Sequence, residues 1–230
     1  MTDAHRAGAI HSRMLSTSDA TAARFYQEAA RHLRAQDAAL GAVIDVIGPC
    51  QLAERQRTHH LLALLGAIVS QQLSTKAAAT IFGRFRALLD DDPAPSAQRV
   101  LALEDAALRG VGLSGQKVQY VRDLCARVVD GRLDLEALDT LDDEAVVTRL
   151  TAVKGFGRWT AEMFLMFRLH RPDVLPVGDL GIVKAVARLY GLPGRPDAAT
   201  ISALGDAWRP YRSVASWYLW QSLTIDPDVG

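Results

Sequence analysis

Apolar positions recur at three- and four-residue spacing along most of the chain, and alternating or β-branched runs are few. Ser18-Asp19 precedes an amphipathic stretch from Ala20 to Ala35, with Phe25, Ala29 and Leu33 four residues apart. A second helix is predicted over Ala38–Val46, ended by Gly48-Pro49. Thr58 opens a segment from His59 to Gln71 that is apolar nearly all round, which predicts a buried helix. Further helices are predicted over Thr75–Leu89, Ser96–Leu101, Glu104–Gly110, Gly115–Val129, Asp142–Leu150, Arg158–Leu169, Leu180–Tyr190, Asp197–Ala207 and Arg212–Leu223. Proline and glycine clusters separate them: Asp92-Pro93-Ala94-Pro95, Gly110-Val111-Gly112, Gly131, Arg171-Pro172 and Gly191 to Pro196. Nothing demands a strand, so the predicted fold class is all-α. Residues 1–15 lack periodicity and predict a disordered tail.

A chain of 230 residues, 49% of them hydrophobic, suits one large domain or two intimate lobes. The 26 basic and 26 acidic side chains cancel, so only their distribution bears on a nucleic-acid partner. Arg149, Lys154, Arg158, Arg168 and Arg171 face Glu162 alone between Ala145 and Arg171, and Arg109, Lys117 and Arg122 stand without an acid between Ala106 and Arg122. The acids gather at Asp90-Asp91-Asp92 and from Asp139 to Glu144, which predicts a basic face with an acidic back. Two cysteines, Cys50 and Cys125, are too few for a four-thiolate cluster or a disulfide framework. No signal peptide or apolar span of membrane length is evident, so a cytoplasmic protein without membrane contact is expected.

The most informative stretch runs from Thr148 to Gly181. A tight hairpin, Val153-Lys154-Gly155-Phe156-Gly157, separates a helix ending near Leu150 from the nearly all-apolar helix opened by Arg158. Glycine lets a backbone turn at positive φ and approach a ligand without an intervening Cβ. The N–H groups of the following helix start suit a phosphate. About twenty residues on, Val177-Gly178-Asp179 sets a lone carboxylate at the head of another helix. Such an aspartate is a favourable N-cap in any protein; preceded by a phosphate-binding hairpin, it is also a candidate for chemistry.

This segment resembles the helix-hairpin-helix DNA glycosylases, specifically the alkyladenine (DNA-3-methyladenine glycosylase II) branch. Gly155-Phe156-Gly157 matches the family's hairpin, Thr160-Ala161 the start of its second helix, and Asp179 its catalytic carboxylate. Further matches are Ile68-Val69-Ser70-Gln71-Gln72-Leu73-Ser74 with Lys76-Ala77-Ala78, Gly112-Leu113-Ser114 with Lys117, and Trp208-Arg209-Pro210-Tyr211-Arg212-Ser213 running on to Trp220. Together they cover Thr58 to Trp220 in the family's order. The resemblance implies two helical lobes with a cleft between them. Residues 73–171 would form the central lobe ending in the hairpin, and residues 16–72 with 172–230 the other. Some relatives carry an iron–sulfur cluster beyond the aspartate; with no cysteine after Cys125, this chain lacks one. Longer relatives also carry an N-terminal β domain, whereas the opening residues here read as helical.

The resemblance assigns roles residue by residue. Asp179 would stabilise the oxocarbenium-like sugar as the base departs and guide water to it. Trp159 stands where bifunctional relatives place the lysine that forms a Schiff base, which implies a monofunctional enzyme. Trp159, Met163, Trp217 and Trp220 would line the base pocket, and aromatic faces suit a cationic alkylated purine. Met163 replaces a tyrosine of the family, which loosens that pocket. Because a base must leave the duplex to be reached, Gln72, Leu73 and Ser74 on one side and Leu113, Ser114 and Gly115 on the other would meet the DNA. Leu113, Gln72 and Leu73 are the candidates to fill the vacated space. Lys117, Lys154, Gly155, Phe156, Gly157 and Arg158 would hold phosphates. The carbonyls of Thr151, Val153 and Phe156 would bind a monovalent cation, Na or K, at the hairpin; no cofactor is required for catalysis. The histidines, including His59-His60, have no ligand spacing for a catalytic transition metal.

The expected function is thus removal of cationic alkylated bases from double-stranded DNA, by a monomer, in base excision repair. The alternatives are a glycosylase for a neutral lesion such as uracil and a non-catalytic helix-hairpin-helix DNA-binding module. A cleft carboxylate among aromatics separates the first two from the third, because a pure binder requires neither.

Overall fold

Short polar residues before apolar runs start most of the helices. In the computed structural model, which describes residues 17–52 and 59–225, the side chains of Asp37, Ser74, Ser96, Ser114, Asp142, Asp179 and Asp197 each accept the N–H three residues on, at 2.7–3.3 Å. The helices are α1 (Thr17–Gln36), α2 (Ala38–Ile47), α3 (His60–Ser70), α4 (Thr75–Ala87), α5 (Ala97–Leu101), α6 (Asp105–Gly110), α7 (Gly115–Val129), α8 (Asp143–Thr151), α9 (Arg158–Phe167), α10 (Leu180–Leu189), α11 (Ala198–Gly205) and α12 (Arg212–Ser222). Short 3-10 turns lie at Ala137–Asp139 and Asp206–Trp208. Among the described residues there is no strand, as the all-α reading expected. The turn at Ala137–Asp139 was not predicted, and the segment expected as one helix to Ala207 breaks into α11 and a 3-10 turn. The expected tail, residues 1–15, and the start at Thr58 lie outside the described residues.

The helices bury two apolar cores. One spans Leu61 to Val174 and is built from α3 through α9. The other joins α1 and α2 to α10, α11 and α12. The division differs from the expected one at residue 72. Leu61, Leu64, Leu65, Ile68 and Val69 of α3 belong to the middle core, because a helix apolar on all sides must be surrounded; α4, α7 and α9 pack around it.

The chain passes from the first core to the second between Val174 and Leu175, four residues before Asp179. Polar contacts fix that crossing. Arg212 Nε donates to Asp173 Oδ1 at 2.7 Å, and Ser213 donates to the Arg171 carbonyl at 2.6 Å while accepting the Val174 N–H at 3.0 Å. A second latch lies behind the C-terminal lobe. Asp37 accepts the Tyr190 hydroxyl and, at 2.8 Å, the indole N–H of fully buried Trp208. The first set of contacts fixes the chain just before α10, and the second holds Tyr190 at its far end, so α10 is anchored at both ends.

Candidate active site

Asp179 sits at the seam of the two lobes and caps α10 through Oδ1, which accepts the Ile182 N–H at 2.9 Å. Two tryptophans close on the same carboxylate. Trp159 Nε1, from the first turn of α9, donates to Oδ2 at 2.7 Å. Trp220 Nε1, from α12, donates to Oδ1 at 2.8 Å. The helix-cap reading of this aspartate is realised, and the same carboxylate is also held by two indoles. A carboxylate offers about four acceptor positions, so three N–H donors fix it and leave one position open.

The walls follow from helical spacing. Trp159, Met163 and Phe167 lie four residues apart along one face of α9. Trp159 is 51% exposed, Met163 is half-buried, and the Phe167 ring stacks on Trp220 at 5.8 Å between centroids. Trp220 alone among the tryptophans packs against both cores. Its approach to Asp179 depends on Gly181, where a Cβ would meet Trp220 Cδ1 at 2.8 Å and Asp179 Oδ1 at 2.9 Å. Gly181 was not singled out from the sequence, although a glycine in the first turn of a helix, two residues after a candidate acid, is a readable signal.

The other aromatics near the C-terminus do not reach the carboxylate. Trp208 and Tyr218 are fully buried, and Tyr211 packs edge-on against Phe25 and His32. Trp217, expected in the base pocket, packs edge-on to Tyr218 in the second core rather than against the carboxylate. A tryptophan-rich helix is mainly core here.

The hairpin forms as predicted, with Gly155 at φ +83°. Its helix, α9, has Gly157 as its N-cap residue, so no side chain caps its first-turn N–H groups. Phe156, expected at the DNA, turns its ring into the first core and is 6% exposed, leaving only its backbone at the surface. Ser74 and Ser114 cap α4 and α7 with their hydroxyls. Gly115 opens α7 on the surface, with open space where a Cβ would lie. Leu113, a candidate for the vacated base position, is 4% exposed in the first core, because an apolar side chain closing a tight turn gains more inside than out. The exposed candidates are Gln72, with φ +57°, and Leu73.

The basic face is thinner than the sequence suggested. Arg158 pairs with Glu144, from the supposed acidic back, and with Glu162. Arg171 pairs with Asp143, and Arg122 with Asp105 and the carbonyl of Leu101. Lys117 spends its ammonium on the carbonyls of Val69 and Gln71, at 2.7 and 2.8 Å, and so is an internal strut. Charges that are neighbours in sequence point to different sides of a helix, which net counting cannot see. Arg109, Arg149 and Lys154 form no ion pair among the described residues. Arg109 and Lys154 border a groove of about 540 Å³ beside the hairpin, away from Asp179. Glu162, the lone acid of its stretch in the sequence, is buried. Burial pushes its carboxyl above the usual range, against the pull of Arg158.

An aspartate held by two indoles at the seam of two helical lobes, on a chain whose α8 and α9 are joined by a glycine hairpin, is the layout of a helix-hairpin-helix protein. The chain belongs to the HhH-GPD superfamily of base excision DNA repair proteins, whose family model matches residues 65–210. It is 34% identical over 160 residues to DNA-3-methyladenine glycosylase 1 of Schizosaccharomyces pombe, covering 69% of this chain and 70% of that one. A crystal structure of DNA-3-methyladenine glycosidase from Bacillus halodurans is similar with a TM-score of 0.74 and 39% identity, covering 84% of this chain and 88% of that one. The structure of the S. pombe 3-methyladenine DNA glycosylase in complex with abasic DNA is similar with a TM-score of 0.76 and 30% identity, covering 86% and 97%.

Proposed function

We propose that this protein is a monofunctional DNA glycosylase that hydrolyses the bond between deoxyribose and a cationic alkylated base of the 3-methyladenine or 7-methylguanine type. One observation carries the reading: both oxygens of Asp179 are gripped by indole N–H groups at the lobe seam. As an alkylated base leaves with its electron pair, the sugar becomes cationic at C1′. A preorganised anion stabilises that charge without having to move. The base already carries a positive charge, so it departs without protonation, and Trp159 and Trp220 present ring faces that attract cations by up to about 2 kcal/mol. Several relatives bear names that specify 3-methyladenine, and one is bound to abasic DNA, the product such a reaction leaves.

Water completes the reaction in this reading. Position 159 holds an indole, which has no lone pair free to form a Schiff base. The hairpin anchors the duplex through main-chain N–H groups, the protein acts as a monomer, and the hairpin carbonyls are suited to a Na or K ion. Those of Thr151 and Phe156 accept no backbone hydrogen bond among the described residues, while that of Val153 accepts the Phe156 N–H at 3.1 Å and retains a second lone pair. Such an ion would place positive charge beside a phosphate. Release of free base from methylated duplex DNA, followed by chromatography, tests the proposal; no release there together with release of uracil from a uracil-containing duplex would transfer the site to a neutral lesion.

A further inference from the structure

One face of α7 holds two loops that meet nowhere else in the sequence. Lys117, Tyr120 and Asp123 are three residues apart and share that face. Lys117 Nζ grips the end of α3 through the carbonyls of Val69 and Gln71. The Tyr120 ring lies under Gly155 so closely that a Cβ there would fall on it. Asp123 accepts the Lys154 N–H of the hairpin at 2.8 Å and the Arg127 Nε–H at 2.9 Å. Gln71 closes the set, its side-chain amide donating to the Gly155 carbonyl at 2.8 Å. Immediately beyond it the chain turns outward, with Gln72 in the left-handed region and Leu73 37% exposed. The hairpin and the Gln72-Leu73 tip are therefore parts of one rigid unit, and the burial of Leu113 removes the bulky side chain of the opposite loop from competition.

We propose that Lys117, acting with Gln71, is a positioning residue that sets the tip at a fixed offset from the hairpin, so that seating a phosphate on the hairpin drives the tip into the base stack. This rests on the reading of the protein as an enzyme of duplex DNA. Two carbonyls are tied to one ammonium, and losing that donor frees the 70–74 loop. The hairpin keeps its supports from Tyr120 and Asp123, so phosphate binding survives the loss. Extruding a paired base costs more than extruding an unpaired one, so a misplaced tip should matter most for a paired lesion.

The test compares Lys117→Met, which keeps the stem but no donor, with Lys117→Arg, which keeps donors. Each is given a duplex with 7-methylguanine opposite cytosine and one with the same base in a single-nucleotide bulge. Base release is read under single turnover, and 2-aminopurine placed beside the lesion reports unstacking independently of chemistry. Lys117→Met should bind both duplexes as the wild type does. It should lose about tenfold in both unstacking and release on the paired substrate, the lower end of what one lost hydrogen bond to a charged group costs. Release from the bulge should fall far less, and Lys117→Arg should recover most of the paired-substrate rate. Equal slowing on both substrates, no slowing, or no recovery by arginine overturns the positioning role. If the wild type unstacks the duplex without releasing base, the proposed reaction fails while the unstacking signal still decides the role of Lys117.

Discussion

Trp159 and Asp179 are joined by a 2.7 Å hydrogen bond from indole Nε1 to carboxylate Oδ2. The position that resembles the lyases' amine site thus holds a donor that restrains the anion. Together with Trp220 on the other oxygen, it converts an ordinary helix cap into a fixed charge at the lobe seam.

Trp159→Phe keeps the ring and deletes the N–H. A hydrogen bond to a charged group contributes about 1.5–3 kcal/mol, so single-turnover release should slow by roughly ten- to a hundredfold. Binding to undamaged duplex should stay near wild type, because the indole is not a phosphate contact. An unchanged rate would mean that the Oδ2 contact does nothing for the reaction.

Borohydride added during turnover should trap no enzyme–DNA adduct, and the product strand should break only after alkali. The expectation rests on the indole at position 159 and on the Lys154 backbone being fixed in the hairpin by Asp123. Efficient trapping would refute the hydrolytic route, with Lys154 the first residue to replace.

The two hairpin glycines should respond differently. Gly155 sits at φ +83° over the Tyr120 ring, so Gly155→Val should damage the hairpin and lower stability as well as DNA affinity. Gly157 has a φ of −104° and open space where its Cβ would lie. Gly157→Val should melt near the wild-type temperature yet bind lesion-containing and undamaged duplexes more weakly to the same degree, at fixed salt. Wild-type affinity in the folded Gly157 variant would remove the hairpin as the DNA anchor.

Asp37→Asn tests the rear latch. Burial alone would raise the Asp37 carboxyl, but the Leu40 N–H, the Tyr190 hydroxyl and the Trp208 indole together hold it below the ordinary value of 3.8. A lowered folded pKa stabilises the protein above the unfolded value, and that contribution fades as pH falls through the folded value. The variant should therefore be less stable by about 1–3 kcal/mol near neutrality, and the gap should narrow below about pH 4. Denaturant melts at pH 7 and pH 3 give both numbers; a gap independent of pH would assign the loss to packing.

Helix positions were legible because apolar spacing and Ser or Asp caps agree along this chain, as at Ser114 for α7 and Asp142 for α8. The hairpin and Asp179 were legible because glycine and a lone acid leave marks in sequence. The partners of a charge were not. Lys117 reads as a surface cation until the fold brings the end of α3 beneath it. Leu113 reads as exposed until the turn closes over the core, and Trp217 resembles Trp220 until α12 rotates the two toward different neighbours. Long-range packing decides these cases, and local pattern carries no record of it.

The most direct measurement is single-turnover release of 7-methylguanine from methylated duplex by Asp179→Asn beside the wild type. The substitution keeps the side chain's size and an acceptor for Ile182 while removing the negative charge that Trp159 and Trp220 hold in place. The account predicts release by the wild type, loss of release in the variant by at least about a hundredfold, and DNA affinity within a few-fold of normal. Release by the variant at the wild-type rate would reduce Asp179 to a helix cap and contradict the account.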